Sequence, residues 1–312
     1  MPTAPTVSII IPAYNASAFI ERALASCLAQ TYTDYEIIVV DDGSSDGTGD
    51  IVRERYADNS VQVIQQENQG VGTARNTGIL AAQGDYILAL DADDVLHPTY
   101  LEKVMQRFRE VDDRVAMIYT QHRIIKDGIV SQPNARLVEG DVFCDLLLQK
   151  NATMMLPSTA TIRKDALVEV GLFPTEEIYS DDWDTWLRLT IHYHVISIDE
   201  PLVDRHLHDA NVTLANKLSA YRIINVLEKV RDFPKRRMCI DDAAYDVFVA
   251  DACHKYAMLE WETGDTAITR DYLRRAIDLT QKSRHIRQLY LMLSYVAPFS
   301  VVLVISQLLN RR

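Results

Sequence analysis

Val7–Pro12 reads VSIIIP and Tyr35–Asp42 reads YEIIVVDD, and between them Phe19, Ile20, Ala23, Leu24, Cys27 and Leu28 recur at helical spacing. Short runs rich in β-branched residues, apolar throughout rather than alternating, are what strands covered on both faces require. An amphipathic helix between two such strands makes a βαβ unit, with Ser17 as its expected N-cap. The rhythm continues outward. VQVI (Val61–Ile64) and YILALDADD (Tyr86–Asp94) read as further strands, and helices are predicted over about 46–56, 71–82 and 98–111. Pro98 falls in the first turn of the last helix, where a missing N–H costs nothing. Parallel strands joined by right-handed crossovers place ligands at their carboxyl ends.

Beyond Val115–Tyr119 the pattern changes. Ile124–Val130 reads as a hairpin turning at Asp127-Gly128, residues that tolerate positive φ. Helices are expected at about 141–149 and 181–192, strands near Ser158–Ile162, Val195–Ile198 and Leu202–His206, and helices from 214 to 288. The chain has 312 residues, 48% hydrophobic and 24% charged, which suits one large α/β domain with an appendage and excludes disorder or a collagen-like repeat. Four scattered cysteines draw neither a metal knuckle nor a dense bridge pattern, and read as reduced thiols of a cytoplasmic protein. Met1–Val7 carries no basic segment leading into a long apolar run, so no secretory signal is expected. A net charge of −12 argues against nucleic acid as the main partner.

The acidic residues carry the chemistry. Asp41-Asp42-Gly43-Ser44-Ser45-Asp46 closes the second strand and Asp91-Ala92-Asp93-Asp94 the fourth, both at the ligand end of an open sheet. Asp-Gly-Ser strings are commonly turns and helix caps, and Asp46 is read that way, capping the next helix. Two clusters at neighbouring strand ends ask for more: carboxylates facing one crevice repel one another unless an oxygen-seeking divalent cation sits among them. Gly70-Val71-Gly72-Thr73-Ala74-Arg75 begins like a dinucleotide fingerprint but has Arg75 in place of the third glycine and follows the wrong strand.

Pro12-Ala13-Tyr14-Asn15, Val40 through Thr48, Asn68-Gln69-Gly70 through Ala74-Arg75-Asn76-Thr77-Gly78, and Asp91-Ala92-Asp93-Asp94, in this order over the first hundred residues, resemble family 2 glycosyltransferases. The resemblance implies a GT-A fold, a Rossmann-like mixed α/β sheet flanked by helices, here with a C-terminal helical extension. It implies inverting transfer of a sugar from a nucleoside diphosphate, taken as UDP, to a hydroxyl of a glycan or lipid-linked acceptor in cell-surface polysaccharide synthesis. By the same resemblance Pro12, Ala13, Tyr14 and Asn15 line the base pocket, Asp42 or Asp41 contacts the base with Arg75 nearby, and Asp91, beside Ala92, touches ribose or metal. Asp93 would be the principal ligand of Mn2+ or Mg2+.

Tyr179 through Leu189, with Asp181-Asp182-Trp183, is similar to the family's acidic pair ahead of an aromatic-rich helix, although the first acid is usually Glu. An inverting transfer needs a carboxylate to take the acceptor's proton, and Asp182 is the candidate base, with Asp181 beside it. The structural alternative is ordinary: acids in a first turn favour the positive end of a helix, and Ser180 would cap it. His208, in a segment similar to the one after the family's last strand, reads either as a diphosphate or metal contact or as a solvated loop histidine. Trp183 and Trp186, three apart on one helical face, read either as an acceptor-sugar platform or as core; aromatics at that spacing are more often core, and they are not counted as site residues.

Three segments follow: 1–213 as the transferase domain, divided into a nucleotide-sugar half (1–115) and an acceptor half (116–213), 214–287 as a helical extension, and 288–312 as an apolar tail. Gln288–Asn310 is uncharged, flanked by Arg287 and by Arg311-Arg312. Its length would span a bilayer, but Ser294, Pro298, Ser300 and Gln307 suit an interfacial or re-entrant helix better, and packing on the protein is the third choice. Attachment to the cytoplasmic membrane face is the reading adopted. A nucleotidyltransferase would want basic residues around a triphosphate, which the first domain does not show. A binding module without turnover is the other rival, and Asp93 together with Asp182 speaks against it.

Overall fold

The computed structural model describes residues 6–56, 61–133, 137–148, 155–176, 181–208 and 216–279, with Gln288 and Leu291. Two compact units emerge, Met1–Glu177 with Asp181–Ala210, and Ile178–Ser180 with Asn211–Arg312.

The first unit is built on β1 (Val7–Ala13), β2 (Tyr35–Asp42), β3 (Val61–Gln66) and β4 (Tyr86–Ala89), parallel in the order β3-β2-β1-β4. Every residue of β1 is buried, as its unbroken apolar run requires. Helices α1 (Ile20–Leu28), α2 (Thr48–Tyr56) and α3 (Val71–Ala81) make the crossovers. The helix α1 begins at Ile20 without a side-chain cap; Ser17 instead donates its N–H to Asp46. Asp46 also accepts the Thr48 N–H at 3.0 Å and the Thr48 hydroxyl at 2.5 Å, and these bonds outweigh desolvation to bring its carboxyl down to about 2.

Beyond β4 the sheet turns mixed. After the two-residue β5 (Val95–Leu96) and α4 (Tyr100–Phe108) comes β6 (Val115–Lys126), which hairpins into β7 (Ile129–Ser131) through Asp127 at φ 50 and Gly128 at φ 77, the expected turn. Then follow α5 (Phe143–Leu147), a 3₁₀ turn (Pro157–Thr159), β8 (Ala160–Arg163), α6 (Lys164–Glu169), α7 (Asp181–His192) and β9 (His194–Leu207). The full order is β3-β2-β1-β4-β8-β6-β9-β5, with β8 antiparallel to both β4 and β6. The two late strands expected from the sequence are one: β9 runs beside β6 with register shifts near Gln121, so Asp199 and Glu200 bulge outward without ending it. The core gathers Ile9, Ile11, Leu24, Val39, Leu88, Tyr100, Val104 and Ile118 between the sheet and α1 and α4. Cys27 is free and buried, whereas Cys144 is disulfide-bonded, against the expectation of a reduced thiol.

The second unit is helical: α8 (Asn216–Val230), α9 (Arg236–Cys239), α10 (Asp242–Glu262) and α11 (Thr266–Leu279). Asp241 caps α10 by accepting the Ala244 N–H at 2.8 Å. Leu227, Val249, Cys253, Trp261 and Leu273 form its interior, and the Tyr245 hydroxyl donates to the Leu227 carbonyl at 2.5 Å. Cys253 is buried, while Cys239 is disulfide-bonded, a second departure from the reduced reading. No helix among the described residues is long and apolar enough to cross a membrane. The tail reading falls outside those residues, apart from Gln288 and Leu291, and Ser180 also lies outside them.

Candidate active site

The carboxyl ends of β1, β2 and β4 carry the residues that the sequence singled out. Pro12 and Ala13 end β1 inside the sheet, while Tyr14 projects with 57% of its surface exposed. Asn15 turns the chain at φ 50, donating its N–H to Ser44 Oγ and accepting the Ser45 N–H, both at 2.9 Å. The loops after β1 and β2 therefore hold each other.

Asp41 and Asp42 are both buried. Successive strand residues face opposite sides, so Asp41 accepts the Ser44 N–H at 3.0 Å, whereas Asp42 takes the Gln69 and Gly70 N–H groups at 2.9 Å and Gln66 Nε2 at 2.7 Å. Asp42 thereby shapes the loop that launches α3. From the first turns of α3, Arg75 reaches into the site with its side chain 5% exposed. It pairs with Asp91 at 2.7 Å and with Asp181 at the start of α7, and its guanidinium lies 5.3 Å from the Phe173 ring centre. Burial opposes its charge most strongly, but Asp181 and then Asp91 outweigh burial and hold it protonated. Asn76 fixes the same Phe173 by donating to its carbonyl at 2.8 Å and accepting its N–H at 3.0 Å. A Cβ at Gly72 would collide with the Pro174 carbonyl, which is why α3 can lie so close.

Asp91, Ala92, Asp93 and Asp94 form a turn in which the Asp94 N–H donates to the Asp91 carbonyl at 3.0 Å. Asp91, Asp93 and Asp94 each offer an oxygen within 4.8 Å of the others. Desolvation, followed by Asp91 and Asp93, pushes the Asp94 carboxyl well above the usual range; desolvation also raises Asp91, with Arg75 opposing and Asp93 adding. Three hard oxygen donors that disfavour one another's charge fit Mg2+ or Mn2+. His208 Nε2 lies 3.0 Å from Asp93 Oδ2, its ring stacked on Phe19 at 4.3 Å, and Arg22 Nη2 donates to the Asp93 carbonyl at 3.1 Å.

Asp182 stands beside Asp181 in the first turn of α7, its Oδ1 2.6 Å from the Trp183 N–H. Trp183 and Trp186 donate to the carbonyls of Leu146 and Met155; Trp186 is buried, as a core residue would be, whereas Trp183 is half-buried. Arg75 thus joins the Asp91 carboxylate to the acidic pair. Pattern reading missed Phe19, Arg22 and Ser158, whose partners lie 67 or more residues away with no local periodicity to announce them.

A profile described as Glycosyl transferase family 2 matches residues 8–171. A chondroitin synthase of Escherichia coli is 46% identical over 122 residues, 39% of this chain and 18% of that protein, so the match spans under a fifth of the synthase. An uncharacterized glycosyltransferase of Rickettsia typhi is 31% identical over 231 residues, 70% of each. Among solved structures, S. aureus TarS 1–349 in complex with UDP-GlcNAc is similar at a TM-score of 0.66 and 18% identity, covering 93% of this chain and 89% of that one. Mannosyltransferase PcManGT from Pyrobaculum calidifontis, in complex with GDP-Man and Mn2+, gives 0.60 and 20%, covering 95% and 87%. At those identities the structural likeness establishes the fold.

Proposed function

The chain belongs to glycosyltransferase family 2, and from that premise we propose that it transfers a sugar, with inversion, from UDP to a hydroxyl of a glycan or lipid-linked acceptor in cell-surface polysaccharide synthesis. The observation that carries this reading is the convergence of Asp91, Asp93 and Asp94 at the end of β4, tied through Arg75 to the acidic pair of α7. The chondroitin synthase similarity supports a polysaccharide product and the UDP-GlcNAc of TarS supports a UDP-sugar. The Mn2+ of PcManGT supports a cation at this cluster.

In this reading the base lies against Tyr14 and Asn15, within reach of Asp41 or Asp42. Asp93 is the principal metal ligand, with Asp91 and His208 beside it. A bound divalent cation supplies Lewis-acid stabilisation of the charge that develops on the leaving diphosphate. Asp182 takes the acceptor hydroxyl's proton as its oxygen attacks the anomeric carbon from the face opposite the diphosphate. Asp181, one carbon shorter than the Glu usual in the family, is held by Arg75 and keeps the acidic pair in place.

The deciding experiment is a screen of nucleotide sugars for donor hydrolysis and transfer, run beside Asp182→Asn. That variant is expected to bind donor normally and to lose about 10²- to 10⁴-fold in transfer, the usual contribution of a positioned base. Near-normal transfer with unchanged donor affinity removes Asp182 from this role. Turnover with no nucleotide sugar, while UDP still binds, favours the binding-module reading.

A further inference from the structure

The 3₁₀ turn Pro157–Thr159 enters β8 beside the acidic cluster, and Ser158 within it is fully buried. Its hydroxyl serves neither the turn nor β8. It accepts the Asp91 N–H at 3.1 Å, holding the first residue of the acidic turn by its backbone. Thr159 does the opposite: its Oγ1 accepts the Leu156 N–H at 3.1 Å and donates to the Leu156 carbonyl at 2.9 Å, closing the turn on itself.

Asp94, at the other end of the turn, is held by β9: its Oδ1 accepts the His206 N–H at 3.3 Å. The Asp91–Asp94 turn is therefore fastened to two elements far along the chain. Like charges forced together at one strand end relax by turning apart unless something opposes it. Ser158 anchors the backbone at the first of the three carboxylate-bearing residues and is placed to oppose that rotation.

We propose that Ser158 is a positioning residue of the cation site, its hydroxyl holding the Asp91 end of the turn so that the three carboxylates converge on one ion. The inference rests on the cation-binding part of the reading above and not on the identity of the sugar.

Mn2+ affinity of the full chain, measured by electron paramagnetic resonance with saturating UDP, tests it. Ser158→Ala is expected to bind Mn2+ about tenfold more weakly, the low end for losing an outer hydrogen-bond partner of a ligand residue. Ser158→Thr, which keeps the hydroxyl, should restore affinity. Ser158→Cys, of similar size and only a weak acceptor, should fall between and serves if the alanine variant does not fold. Thr159→Val should lower the melting temperature yet leave Mn2+ affinity unchanged. Unaltered affinity in Ser158→Ala or Ser158→Cys, with Asp93→Ala abolishing binding, overturns this inference alone. Equal weakening in Thr159→Val also overturns it, because turn integrity and not the hydroxyl would then matter. Absence of Mn2+ binding in the unaltered protein overturns the cation reading together with the inference.

Discussion

Replacing Arg75 by alanine removes a nearly buried cation from between two carboxylates that stay behind. Breaking a fully buried ion pair by deleting one partner costs about 3–5 kcal/mol. Here the Arg75 side chain is 5% exposed, but Asp91 and Asp181 are 37% and 24% exposed, so water compensates part of the loss. The contact with Phe173 adds about 0.5–1 kcal/mol. Together these give about 2–3 kcal/mol for Arg75→Ala. Arg75→Lys should also destabilise, since a single ammonium cannot span both carboxylates as the guanidinium fork does. A double-mutant cycle with Asp181→Asn isolates the pair and should return a coupling of about 1 kcal/mol. Trp183 and Trp186 lie in α7 of the first unit and Trp261 in the second. Urea unfolding followed by tryptophan fluorescence in a Trp261→Phe background therefore reports the unit that contains the pair. A loss below about 0.5 kcal/mol in Arg75→Ala, or strict additivity with Asp181→Asn, would refute the reasoning.

Buried on β6, His122 has its imidazole lowered to about 4, first by desolvation and then by Arg205. The unfolded chain therefore takes up this proton first, and stability present above about 6.5 is lost as pH falls toward 4, by roughly 3 kcal/mol. Urea melts at pH 7.5 and 4.5 should show His122→Gln flattening that difference, and an unchanged difference would remove His122 as the titrating group. For the C-terminal stretch, deletion of 288–312 is expected to move the protein from the membrane to the soluble fraction on ultracentrifugation, and an unaltered distribution would end the attachment reading.

How much of the site was legible can be followed residue by residue. Asp91, Asp93 and Asp94 were visible because a strand end and its ligands are neighbours in sequence, and they do converge. Asp41 and Asp42 were visible for the same reason, although the structure shows Asp42 occupied by the amides of Gln69 and Gly70. Arg75 was placed near the base by resemblance alone, and its pairing with Asp181, 106 residues away, had no local signal. The fusion of two expected strands into β9 was equally hidden, since Asp199 and Glu200 read as a break and only the ladder with β6 carries the chain past them.

By itself the sequence determined the parallel half of the sheet and the location of its ligand end, because burial on both faces and strand-end chemistry are written in consecutive residues. The tertiary structure alone decided what holds that chemistry in register. By pairing β8 with β4 and β9 with β6, the mixed sheet brings Ser158, His206 and His208 against a turn more than sixty residues earlier. Contacts between such distant residues depend on strand order, which no periodicity along the chain encodes.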